Sequence, residues 1–416
     1  MGSSYTNSAS HHRQPLRLDE RSSGGPLGFL NPTRREYGIL PAVRQNTSAG
    51  DVGGAAPNVR YKWSSRNNRK GRHAIVIKQT ASGKEDRTDN TPASSTSWRS
   101  IGRTVILVFF YYPVWDVSWL VAFIFTWGSI VWVINSFFVF LPLLRPSTEF
   151  PGEIADAGGW SAWVGATVFE VGSVLLLLEA VNENRTKCFG WAIEQVYEKQ
   201  TTHHLSKHSA VRIRPDKTHC EHHHPNKRSL VGARTKSNTQ LSESEKPGAS
   251  SSGKSWTWFP SSHDLRTHYI RELGFWASAV QLFAASVFWI SGFTAIPGIQ
   301  DRLSSAGVKG AYWFPQVLGG FGFVVSGFLF MLEVQEHWAK PALGTLGWHI
   351  GFWNFIGGWG FFLCPCFGFN SASWAVYQSS CSTFWGSWAF LIGSVIQLYE
   401  SQSKYPVEIK EADEHV

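Results

Sequence analysis

The sequence predicts an all-α membrane protein with six transmembrane helices arranged as three repeated helical hairpins, plus a disordered cytosolic N-terminal tail and a disordered middle loop. Three observations carry the prediction: six long apolar stretches, a skew of Lys and Arg toward one set of connecting segments, and a recurring pattern of small, aromatic and acidic residues.

The apolar stretches are residues 118–144, 160–181, 275–296, 313–332, 348–368 and 378–399. A hydrocarbon core of about 30 Å needs roughly 20 apolar residues at about 1.5 Å each, and every stretch meets that length. Four contain no Asp, Glu, Lys, Arg or His; the fifth has only His349, and the second has Glu170 and Glu179. Aromatics make up 15% of the chain, with 21 Trp and 29 Phe, and they concentrate in these stretches. Trp and Tyr near the ends fit the aromatic belts of a bilayer.

Residues 1–103 form a basic tail rich in Ser, Gly, Asn and Arg, with too little clustered apolar surface to offset the entropy of ordering. Residues 104–181 are expected to hold an interfacial helix, a bend at Pro113, and the first transmembrane hairpin. Residues 182–268 read as a polar, His-rich loop that opens with a helix around Trp191 to Gln200. The second hairpin occupies 269–335, the third 336–400, and a short tail 401–416. Lys and Arg crowd the tail and the loop after the second span, whereas the opposite loops carry only Arg145 in one and Arg302 with Lys309 in another. By the positive-inside rule both termini and the middle loop are cytosolic, in the plasma membrane or an endomembrane. The first apolar run begins near Thr104, so no cleavable signal peptide is expected and the first span does the targeting. The net charge of +8 then reflects topology and attraction of the tails to anionic lipid headgroups, and nucleic acid is not an expected partner.

Aligning the second, fourth and sixth spans on their terminal acid exposes the repeat. Gly165, Phe169, Gly172 and Glu179 recur as Gly319, Phe323, Ser326 and Glu333, and again as Gly386, Phe390, Gly393 and Glu400. On a helix advancing about 100° per residue these positions share one stripe. The preceding span of each pair has two adjacent small residues followed three positions later by an aromatic: Gly128, Ser129 and Trp132; Ala284, Ala285 and Phe288; Gly357, Gly358 and Phe361. Lipid gives helices no hydrophobic reason to associate, so close packing through small residues is what holds such hairpins together.

Residues 377–397, centred on Gly386 to Ser394, resemble the second half of the two-helix YrhK-like membrane domain, and 354–362 is similar to its first half. The whole chain resembles integral membrane proteins of filamentous fungi. The resemblance implies the hairpin fold and implies no reaction or ligand. The first copy departs most, with Glu170 inside its motif.

Several residues are candidates for chemistry. Glu179, Glu333 and Glu400 stand at the cytosolic end of every second helix, where a carboxylate opposes the helix dipole and asks for a partner. They read either as a ring at the mouth of a cation path or as acids paired with nearby Lys, Arg, water or indole groups. Glu170 lies mid-span, where an ionised carboxylate is costly unless it is protonated, paired or hydrated. It reads as a transport group, with Gln281, His349 and Asn354 completing an ion path or polar network, or as a packing group bonded to Asn135 or Gln281. In the middle loop His219, Cys220, His222, His223 and His224 suit a transition metal in residue type, but their spacing is not that of a closed zinc site. Cys364 or Cys366 could pair with Cys381 at the non-cytosolic end, or all three stay free. No phosphate-binding loop, zinc-protease helix or nucleophile elbow occurs, so neither a cofactor nor enzymatic activity is expected. The expected function is a non-enzymatic membrane scaffold or interaction protein, and the alternative is a cation or metal transporter.

Overall fold

A computed structural model describes residues 17–40, 59–79, 92–183, 190–197, 209–215 and 256–411. The strands are β1 (Arg17–Gly24), β2 (Arg34–Leu40), β3 (Val59–Ser64), β4 (Ala74–Gln79), β5 (Trp191–Tyr197), β6 (Ser209–Pro215) and β7 (Val407–Glu411). The helices are α1 (Ser65–Arg69), α2 (Trp98–Phe110), α3 (Val117–Leu144), α4 (Gly159–Val181), α5 (Ser262–Thr267), α6 (Leu273–Thr294), α7 (Ser305–Gly307), α8 (Phe314–Val334), α9 (Leu346–Gly368) and α10 (Ser373–Gln402).

Six long helices close a ring in chain order: α3 packs on α4, then α6, α8, α9 and α10 follow, and α10 returns to α3. Among the described residues, five segments are long and apolar enough to cross a membrane: Val117–Leu144, Glu153–Val181, Leu273–Thr294, Ser305–Val334 and Leu346–Gly368. Five such segments fit a multipass membrane protein. α10 is the longest of the ring helices, but its Ser, Thr and Gln side chains leave it short of that apolarity.

The ring has a solid centre. Trp132, Phe288 and Phe361 form one aromatic triad, with ring centroids 5.8, 4.9 and 5.6 Å apart. Phe169, Phe323 and Phe390 form a second, with centroids 6.4, 5.5 and 6.0 Å apart. The triads touch through Phe361 and Phe390 at 5.2 Å, and the space among them admits no water molecule. Edge-to-face geometry places positive ring edges on negative ring faces, which favours these contacts beyond area burial. Glycine gives the rings their seats: a Cβ at Gly165 would lie 2.9 Å from Trp132, and one at Gly319 2.7 Å from Phe288.

The basic tail differs from its expected disorder wherever it is described. Residues 17–40 and 59–79 form four antiparallel strands, and β7, in the segment read as a C-terminal tail, adds in parallel to β4 in the order β1-β2-β3-β4-β7. The physical reason is visible in Val59, Tyr61 and Trp63 and in Ile75 and Ile77, an every-second-residue pattern that faces one side of a sheet. That side packs with Trp191, Ile213 and Val407. The segment expected to be a helix from Trp191 is strand β5, paired with β6. Trp191 donates its indole N–H to the His73 carbonyl and His73 N–H donates to the Lys404 carbonyl, so tail, middle segment and C-terminal strand meet at one end of the ring.

At the opposite end the cysteines are free: the Cys364 thiol sits 3.3 Å from the Ser379 hydroxyl and 4.0 Å from the Gln316 amide oxygen instead of bonding to Cys381. Of the two readings of these cysteines, the structure has the one in which Cys364, Cys366 and Cys381 all stay free.

Candidate functional site: a buried ionic cluster at the mouth of the ring

The connection between β3 and β4 is Ser65-Arg-Asn-Asn-Arg-Lys-Gly-Arg-His73. Ser64 caps α1 by accepting from Asn67 N–H at 3.1 Å, and Gly71 takes φ +59°, the left-handed turn that returns the chain to β4. This tight turn projects four basic side chains into the end of the ring where α4, α8 and α10 finish. There they meet Glu179, Glu333 and Glu400, all of which are essentially inaccessible to solvent.

Each acid is held differently. Arg69 makes a two-pronged pair with Glu333, Nη1 to Oε1 at 2.6 Å and Nη2 to Oε2 at 2.8 Å, and Ser65 Oγ donates to the same Oε1 at 2.9 Å. Glu400 accepts from Arg66 Nη2 and Arg72 Nη1, both at 2.7 Å. Glu179 has the weakest set: Ser118 Oγ donates at 2.6 Å, but Lys70 Nζ stands at 3.4 Å and Arg69 Nε at 3.9 Å.

The difference begins at the second residue of the neighbouring helix. That residue is Ser118 in α3, Gly274 in α6 and Gly347 in α9. A Cβ at Gly274 would fall 1.8 Å from Arg69 Nη1, and one at Gly347 2.7 Å from Arg66 Nε. Glycine opens room for a guanidinium at two acids; at the third, serine fills the room and offers a hydroxyl instead.

Burial and pairing compete differently at each cation. Burial pushes the Arg69 guanidinium down, but Glu333 beside it overrides this and holds it above its ordinary value. Burial outweighs the pull of Glu179 at Lys70 and pushes its ammonium down to about 8. Burial likewise lowers Arg72, against the pull of Glu400. Between pH 8 and the ordinary lysine value of 10.5 the unfolded chain therefore binds more protons at Lys70 than the folded chain. Stability consequently rises with pH across that window, by up to about 1.4 kcal/mol per pH unit, and at neutral pH the Lys70 charge is a cost. Lys70→Met is expected to leave the denaturation midpoint at pH 7 unchanged or raised and to remove the upward slope above pH 8. A midpoint that falls at pH 7 would show instead that the Lys70 charge contributes net stability.

The residues read as an ion path are not brought together. Glu170, half-buried, accepts from Ser286 Oγ at 2.8 Å, not from Asn135 or Gln281. Asn135 donates to the Gly158 carbonyl and to Ser161, Asn354 to the Ile350 carbonyl of its own helix, and His349 Nε2 meets the Leu343 carbonyl. Gln281 is buried in α6. The metal candidates His219, Cys220, His222, His223 and His224 lie outside the described residues, among which no group of three His, Cys, Asp or Glu could hold a metal ion.

Arg66, Arg69, Lys70 and Arg72 stand out in the sequence only as part of a basic tail. A sharper signal is there: four cations within seven residues, flanked by alternating strands, in a chain whose helices end on three acids. Compared with protein families, curated proteins and solved structures, the chain matches none.

Proposed function

We propose that this protein is a non-enzymatic multipass scaffold of six spans, built as three hairpins similar to the YrhK-like domain, with both termini and the middle loop in the cytosol. Its task on this reading is to hold the cytosolic sheet rigidly against the membrane. One observation carries the proposal: the three terminal acids are all consumed by the basic turn of the sheet. A ring of carboxylates at a conducting mouth would need to stay hydrated and free to exchange cations; here they are buried and paired. The solid aromatic centre supports the same reading, as do the separate contacts of Glu170, His349 and Asn354. The threefold repeat is supported by the two aromatic triads and by three acids meeting one turn.

The test is flux. The purified chain in lipid vesicles, offered a panel of monovalent and divalent cations, is expected to pass none faster than protein-free vesicles, and Glu170→Gln is expected to behave identically. Flux in the wild type that Glu170→Gln abolishes would replace the scaffold with the transporter reading.

A further inference from the structure

Helix α2 has no buried residue, although nine of its thirteen positions are Trp, Ile, Val, Leu, Phe or Gly. It is nonetheless fixed at both ends. Ser95 N–H donates to the Val407 carbonyl at its start, and Gln402 Nε2 donates to the Tyr111 carbonyl at its finish. The helix thus runs along the sheet end of the ring, immediately before α3 enters the span.

Its two sides differ. With about 100° per residue, Ile101, Thr104, Leu107 and Val108 lie on the side toward the protein and are the less exposed. The outward side carries Val105, Trp98, Phe109 and Ile106 along one arc, with Trp98 88% and Phe109 63% exposed, and Arg99, Phe110 and Arg103 along the adjoining edge. Arg99 and Arg103 are one turn apart, within about 6 Å, and make no ion pair among the described residues. The apolar arc continues through exposed Tyr111, Tyr112 and Val114 toward the outward face of α3, where Trp127 is exposed.

We infer that α2 lies in the cytosolic leaflet and that Arg99 and Arg103 together hold the headgroup of an anionic phospholipid. An apolar arc continuous with the outer surface of a membrane span, bordered by two exposed guanidiniums with no ion pair among the described residues, matches the boundary between acyl chains and headgroups. A soluble protein partner would have to cover both the arc and the adjoining bilayer surface. The inference rests on α3 crossing the membrane, as the proposed scaffold requires.

The test uses the full chain, one copy per nanodisc, in phosphatidylcholine containing one third phosphatidylserine, with the photocrosslinker p-benzoylphenylalanine placed at Phe109. Lipid adducts are expected, with phosphatidylserine enriched at least threefold over its bulk ratio, and Arg99→Gln with Arg103→Gln is expected to return the adducts to the bulk ratio. Absence of lipid adducts, or adducts only to a second copy in discs loaded with two, overturns the leaflet placement. Adducts at the bulk ratio in the wild type overturn the headgroup site. Retention of the chain in the disc through an alkaline wash reports the spans independently. A failure at Phe109 with the chain retained therefore counts against α2 alone.

Discussion

Glu333→Gln is expected to release the N-terminal sheet from the helix ring and to cost about 3–5 kcal/mol of stability, because it strips the charge from one side of a fully buried pair. Arg69 would keep its guanidinium at 3% exposure with an amide oxygen in place of its two-pronged carboxylate, and with Glu179 no nearer than 3.9 Å. Trypsin reads the result directly: Arg66, Arg69, Lys70 and Arg72 are buried cleavage sites in the wild type and should become cleavable in the variant. The same change at Glu179 should expose them less, since Glu179 has the longer ion pairs and keeps a hydroxyl donor in Ser118. Replacing both partners, Arg69→Met with Glu333→Leu, should recover much of the loss, because the cost lies in the unpaired charge more than in the missing attraction. Equal protease resistance of wild type and Glu333→Gln would show that the cluster does not hold the sheet in place.

The acids and their partners were not equally legible in the sequence. Glu179, Glu333 and Glu400 announce themselves because the period of a helix fixes where position 14 of the motif falls relative to its glycine and phenylalanine. The aromatic triads follow from the same register. The cations do not, because the turn carrying them is positioned by strand pairing between residues more than three hundred positions apart, β4 with β7. Composition misled for a related reason. A sheet that packs one face and leaves the other wet needs only alternate apolar residues, so Arg60, Lys62 and Lys78 sit within real strands while the segment averages as polar. Glu170 shows the opposite limit: its depth in a span is plain from sequence, but Ser286, which donates to one of its oxygens and leaves the other buried without a partner, lies on α6 and has no periodic signature. The span count turned on composition alone, since α10 holds its place in the ring by Gly360 meeting Gly386 and by the Phe390 contact, and lipid-facing apolarity is not needed for either.

Phe390→Ala is expected to be the most damaging single change inside the ring, at about 3–5 kcal/mol. Phe390 touches Phe169, Phe323 and Phe361, so its loss removes a contact from both triads at once. Helices already in lipid gain little by hiding apolar surface from water, which leaves packing as the main term that a truncation can remove. Trp388, two residues earlier and 40% exposed on the outside of the same helix, provides the control: Trp388→Ala should shift stability by less than about 0.5 kcal/mol. Gly357 sharpens the test, because a Cβ there would lie 2.7 Å from the Phe390 ring. In the wild type Gly357→Ala must push that ring aside; in a Phe390→Ala background the added methyl enters the space the ring has left. The two substitutions should therefore be less than additive in a denaturation series on the detergent-solubilised chain, with the second costing little or restoring part of the loss. Strict additivity would mean that Gly357 and Phe390 do not meet, and the threefold seating of rings on small residues would lose its third member.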